Sequence, residues 1–258
     1  MRLRAGDMAM GAMLPLALIA IWQAWGLAAG IPRIPLPTKV AAAAIELIGS
    51  GDLPLAILMS VGRVFGGFAV AAALAIPLGL AMGTSARVER ALDPLVESFR
   101  PIAAIAVLPL AILWLGTGTS AAIAIVAYAA FFPIVINTVA GAQRVPPTLL
   151  RAAATMGLSR GATLRTVVIP SALPSIGTGL RIGMGVAWTA IVAAELAVGA
   201  KAGGGGSGGV GQMMFIYYAY SIELNRIVVC MIAVGVVAFL LDRLIRGALA
   251  LAMPWSSR

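Results

Sequence analysis

A chain of 258 residues that is 61% hydrophobic and 10% charged, with a mean hydropathy of +1.03, is too apolar to be a water-soluble domain. Its net charge of +9 comes from arginines beside apolar runs, with no basic face interleaved by aromatics, so nucleic acid is not the partner this charge implies. With one cysteine (Cys230), no histidine and nine carboxylates, a disulfide framework, a metal cluster and a hydrolytic triad all lack their residues, and no intrinsic catalysis is expected.

Apolar windows able to cross roughly 30 Å of hydrocarbon fall near 9–29, 64–83, 101–116, 120–140, 177–199 and 227–250, which predicts an all-α membrane protein of about six transmembrane helices in one domain, 1–258. The first window follows Arg2 and Arg4 and ends in Ala28-Ala29-Gly30, as a signal peptide would, but it is longer than such a segment. Pro35-Leu36-Pro37 then leads to Thr38, a cap for an amphipathic helix through Ala41, Ile45 and Ile48 that Gly49 to Gly51 ends. The third window is the shortest, interrupted by Pro109, Gly116 and Gly118, and the 101–140 stretch admits other partitions. Such breaks survive in a bilayer only where protein or an aqueous cavity satisfies the freed backbone groups.

After the fourth window comes a polar, arginine-bearing interruption at 144–174, RVPPTLLRAAATMGLSRGATLRTVVIPSALP. Pro146 and Pro147 open a helix, the alanines propagate it, and Gly157 closes it in the left-handed conformation. Ser159 caps a second short helix, which Pro170 and Pro174 limit. The tract KAGGGGSGGVG, about 200–212, reads as a flexible loop, and Tyr217, Tyr218 and Tyr220 as an interfacial belt before the last window. Arg2, Arg4, Arg87, Arg90, Arg100, Arg144, Arg151, Arg160, Arg165, Arg243, Arg246 and Arg258 fall on one side of this arrangement, against Arg33, Lys39, Lys201 and Arg226 on the other. The positive-inside rule therefore puts both termini and the 144–174 segment in the cytoplasm and the glycine tract in the periplasm.

The run Arg151-Ala152-Ala153, Gly157-Leu158-Ser159-Arg160 and Ile169-Pro170 resembles the EAA loop of permease subunits of ATP-binding-cassette importers, with arginine where the motif has its glutamate. Ser60-Val61-Gly62-Arg63, Ile76-Pro77-Leu78-Gly79, Arg100-Pro101, Trp114-Leu115-Gly116, Thr178-Gly179-Leu180-Arg181, Ala193-Ala194-Glu195 and Pro254-Trp255 extend the resemblance over roughly 55–255, to the taurine, sulfonate and nitrate group. The glycine tract departs from it, standing where relatives carry a compact Gly-Leu-Gly. The resemblance implies a type I importer permease in the bacterial inner membrane, not itself an enzyme, carrying a small organosulfonate such as taurine or a related oxyanion. It implies a second copy of the chain, two ATPase subunits that bind ATP and Mg, and a periplasmic binding protein as partners. It also implies that Arg151, Ala152, Ala153, Gly157, Leu158, Ser159, Arg160 and Pro170 contact the ATPase. No Gly-rich phosphate loop with a following lysine is present, so no cofactor is expected on this chain. An autonomous channel or secondary transporter is the alternative, and it calls for more intramembrane charge or an internal repeat.

Five residues are pathway candidates, each with a plainer reading beside it. Glu195 is a cavity-wall or gate carboxylate, or else a helix-end group at the interface or paired with Lys201. Arg181 offers charge to a passing sulfonate, or snorkels to the cytoplasmic surface or pairs with Asp93 or Glu97; Arg63 has similar alternatives at the outer interface. Asn137, Thr189 and Trp188 line a pathway or serve interhelical packing, and Gly79/Gly83 and Gly179/Gly183/Ala187 form small-residue faces for a neighbouring helix or a second copy.

Overall fold

The computed structural model describes residues 5–29, 34–201 and 208–253, and every regular element within them is helical. In chain order these are α1 (Ala5–Ala29), α2 (Pro37–Gly49), α3 (Asp52–Thr84), α4 (Ala86–Phe99), α5 (Ala104–Leu115), α6 (Thr119–Gln143), α7 (Pro147–Thr155), α8 (Arg160–Thr163), α9 (Ile169–Lys201), α10 (Val210–Ile216) and α11 (Leu224–Ala252). Wide π turns at Leu164–Val168 and Tyr217–Ser221 join α8 to α9 and follow α10.

Among the described residues four helices are long and apolar enough to span a bilayer: α3, α6, the run 160–198 and α11. The expected count of six is not reached among these, and the third window shows one reason. There α5 has only 12 residues, roughly 18 Å of helix, and it meets the amphipathic α4 at 95°. The cause is Pro101, which has no N–H to carry α4 onward; counted as one broken span, the pair makes a fifth. Within α1, the stretch Met13–Ala29 is a shorter apolar helix. The ends 1–4 and 254–258, on which the terminal part of the topology rests, lie outside the described residues.

The core is the contact of α3 and α9 with α6. Val64 and Ala71 of α3, Val126 and Ile134 of α6, and Trp188 and Ile191 of α9 are buried together. Small residues set how closely these helices approach. A Cβ on Gly79 would stand 2.6 Å from Thr138 Cβ, and one on Gly179 2.8 Å from Asn137 Cβ, so both helices lie nearly backbone to backbone on α6. The small-residue faces are therefore used within one chain, not kept for a second copy. Many apolar side chains outside this core stay uncovered, with Leu113 77% and Trp114 74% exposed on α5, as lipid contact requires.

Two local expectations change. Thr38 is not the cap of α2: Pro37 takes the first helical position, and Thr38 turns its N–H and hydroxyl to Gln23 Oε1 at 3.3 and 3.5 Å. The 200–212 loop is shorter at both ends, because α9 runs to Lys201 and α10 starts at Val210; residues 202–207 lie outside the described residues. Gly208 to Gln212 are held against α3 and α9 by the polar cluster described below, and Val210, Gly211 and Gln212 are buried.

Candidate functional site

The 144–174 segment forms two short helices at the end of the core where α3 and α6 finish. Pro146 and Pro147 start α7, as their fixed φ and missing N–H favour. Its end is a complete Schellman closure: Leu158 N–H donates to Ala153 O at 3.1 Å and Gly157 N–H to Ala154 O at 3.0 Å, with Gly157 at φ 69°. Nothing lies within 4 Å of a Cβ built there, so what demands glycine is the backbone angle and not space. Ser159 Oγ then accepts from Ala162 N–H at 3.3 Å, the N-cap of α8.

Pro170 and Pro174 do not limit that helix. The π turn Leu164–Val168 widens the backbone just ahead of them, where a proline ring would otherwise meet the carbonyl four residues back, and the chain runs on into α9. Motion of the segment is thus tied directly to a core helix. Ala153 is buried on the inner side of α7, whereas Arg151, Ala152, Gly157, Ser159, Arg160 and Pro170 are exposed and Leu158 is half-buried. Leu149, Leu150 and Met156 are exposed as well, with Met156 at 76%. Arg151 is exposed and makes no ion pair among the described residues, so the arginine in place of the motif glutamate faces outward. Behind the segment lies a cavity of about 990 Å³, bounded by Ser85, Gln143, Leu158, Arg160 and Leu164.

At the opposite end, Glu195 and Arg63 form a buried ion pair, Nη1 to Oε1 at 2.7 Å, with side chains 5% (Arg63) and 3% (Glu195) exposed. Ser60, one turn before Arg63 on α3, donates to both carboxylate oxygens at 2.8 and 2.9 Å, and Gly211 N–H donates to Oε2 at 3.1 Å. Val210 N–H donates to Ser60 Oγ at 3.0 Å, and Arg63 donates to Gly208 O at 2.5 Å and to Thr119 Oγ1 at 3.4 Å. Each charge is met by an opposite charge and by further hydrogen bonds, the condition under which a buried pair holds. The glycines are required by proximity: a Cβ on Gly211 would lie 2.5 Å from Val192 O and 2.8 Å from Glu195 Cβ. Arg63 is therefore buried against Glu195 and does not reach an exposed surface. Because α3 begins at Asp52, well before the apolar window, Arg63 falls inside the helix and not at its start. Glu195 is bound to Arg63 and Ser60, and reaches neither the interface nor an open surface.

The remaining candidates disperse. Arg181 pairs with Asp242 of α11 at 2.7 Å, with Arg246 on the same carboxylate, and not with Asp93 or Glu97. Trp188 is buried and donates its indole N–H to Val234 O at 3.1 Å, a packing role. Thr189 is exposed and bonds Val186 O within its own helix. Asn137 bonds Pro133 O at 2.8 Å and lines a cavity of about 440 Å³ between α6, α9 and the α4–α5 bend. Arg100 lines the same cavity. Tyr128 explains its position: the phenol donates to Phe99 O at 2.9 Å, fixing the bend nine residues into α6. Sequence reasoning missed Arg63, Ser60 and Gly211 as partners of Glu195, and Gly208 and Val210 as partners of Arg63 and Ser60. The one available signal was Ser60 and Arg63 at a spacing of three on a helix face, the period that puts both side chains on one side.

The family described as binding-protein-dependent transport system inner membrane component matches residues 75–248. The nitrate import permease protein NrtB of Synechocystis is 37% identical over 247 residues, covering 92% of this chain and 86% of that protein. The taurine transport system permease protein TauC of Escherichia coli is 38% identical over 180 residues, covering 70% and 62%. The bicarbonate transport system permease protein CmpB of Synechococcus elongatus is 33% identical, covering 91% and 87%. Among solved structures, a chain described under inward-facing conformations of the MetNI methionine ABC transporter superposes with a TM-score of 0.61 at 23% identity, covering 80% of this chain and 97% of that one.

Proposed function

Because the chain belongs to the family of binding-protein-dependent transport system inner membrane components, we propose that it forms the translocation pathway of an ABC importer for a small oxyanion, with an organosulfonate such as taurine as the first candidate. Its similarity to permeases named for nitrate, taurine and bicarbonate supports the substrate class, since all three are small solutes bearing anionic oxygens. Nitrate is the second reading, supported by the longer alignment.

The observation that carries the mechanism is the Schellman-closed α7 and Ser159-capped α8, presented outward and continuous through the π turn with α9. A rigid outward knob on a core helix suits mechanical coupling. In this reading two ATPase subunits grip the exposed face of Arg151, Ala152, Gly157, Ser159 and Arg160, supply ATP and Mg chemistry themselves, and rock the knob when they close on nucleotide. Two copies of this chain enclose the pathway, and a periplasmic binding protein delivers the solute.

The test is reconstitution. The chain with its ATPase and binding protein should take up taurine or nitrate in proteoliposomes only with ATP, in a complex holding two copies of this chain and two of the ATPase. Transport by the purified chain alone, without nucleotide, would instead support a channel or secondary transporter.

A further inference from the structure

Arg100 is a cation at membrane depth. The bend that carries it is pinned by Tyr128, nine residues from the start of α6, roughly 14 Å along a helix that rises 1.5 Å per residue. The other walls of the cavity agree with that depth: Phe132 lies in the middle of α6, and Val186 lies midway along α9. Ionisable groups at such depth face the bundle interior or a water-filled cavity and mark solute pathways. This cavity, about 440 Å³, has one charged lining residue, Arg100, and no carboxylate among those that line it.

Three further features favour an anion there. Asn137 also lines the cavity, and its side-chain amide brings hydrogen-bonding capacity to the wall. Ala103 and Ala104 belong to the wall, and they begin α5, whose first turn has no side-chain cap, so its positive dipole end borders the same space. The tie on the guanidinium is weak: Arg100 Nη1 stands 3.5 Å from Glu97 Oε1, with the two side chains 55% and 59% exposed, an arrangement an entering anion displaces at little cost. The remaining wall, from Phe132, Pro133, Ile136 and Val186, is apolar, the usual setting in which a few polar groups fix a ligand's orientation. We propose that this cavity is an anion-binding station on the translocation pathway, with Arg100 engaging the sulfonate, nitrate or carbonate oxygens of the passing solute. A guanidinium suits all of these, because its planar fork matches paired oxygens. The proposal rests on the oxyanion reading above.

Two experiments test it and separate its failure from that of the reading it rests on. In proteoliposomes holding the assembled importer, Arg100→Gln should lower uptake of taurine or nitrate about tenfold to a hundredfold, the loss expected for one charge-assisted contact. Arg100→Lys should keep part of the activity. Arg100→Gln transporting like wild type, per complex, overturns the proposal. A wild-type complex that takes up neither taurine, nitrate nor bicarbonate ends the oxyanion reading instead. The second experiment uses no substrate. With Val186→Cys in native membranes and Arg100 intact, an anionic sulfonatoethyl methanethiosulfonate should label at least threefold faster than a cationic trimethylammonium analogue, each relative to its rate with a free thiol. Equal rates, a preference for the cation, or no labelling by either reagent overturns the station, and this arm decides if Arg100→Gln fails to assemble.

Discussion

Removing the charge of Glu195 while keeping its shape should destabilise the protein strongly. In Glu195→Gln the Arg63 guanidinium stays 5% exposed, with its nearest counter-charge, 2.7 Å away, gone. Breaking one side of a buried ion pair costs about 3–5 kcal/mol. At about 2–4 °C per kcal/mol for a chain of this size, that corresponds to a fall of roughly 6–20 °C in the apparent melting temperature. Ser60 and Gly211 still have an oxygen to donate to, so the lower half of that range is the closer expectation. The assay is thermal unfolding of the detergent-solubilised complex followed by size-exclusion, with Arg63→Met and the double variant Arg63→Met/Glu195→Gln run beside it. The double variant should lose less than the sum of the two single variants, because neither charge is then left alone. A melting temperature for Glu195→Gln within 2 °C of wild type, or strictly additive losses, would refute the ion pair as the fastening of α10 to α3 and α9. Unchanged uptake per assembled complex would separately remove Glu195 from the pathway.

Gly157→Val should leave the chain inserted but uncouple uptake from ATP hydrolysis, because the left-handed backbone at φ 69° costs an L-residue about 1–2 kcal/mol; Gly157→Asn should restore much of the coupling, and normal substrate-stimulated hydrolysis in Gly157→Val would count against the α7–α8 contact. Ser159→Ala removes the cap on Ala162 N–H and should cost about 1 kcal/mol locally, seen as faster hydrogen exchange across 160–163 with exchange in α6 unchanged. Gly79→Leu should abolish recovery of folded protein, since even its Cβ would meet Thr138 Cβ at 2.6 Å and Val135 O at 2.9 Å. Cys230, fully buried, should resist maleimide in native membranes and react after denaturation in detergent.

The sequence alone determined that this is a helical membrane protein, and it placed the 144–174 segment and its turns nearly residue by residue. Those features are local: apolar length follows from composition, a Schellman glycine and a serine cap act within a few residues, and both families of small residues announce close helix contact. What only the tertiary structure decided is which elements meet. Ser60, Arg63, Glu195 and Gly211 are separated by as many as 151 positions in the chain, yet share one hydrogen-bonded cluster. No periodicity encodes that, because a partner is selected by the packing of α3 and α9 on α6. Arg100 shows the same limit from the other side. As a sequence it is one more arginine after an apolar span, and charge counting sends it to the cytoplasm. The proline that follows it ends α4, the bend folds back to Tyr128, and that tertiary contact sets the guanidinium on the wall of the cavity between α6 and α9, a placement no local pattern encodes.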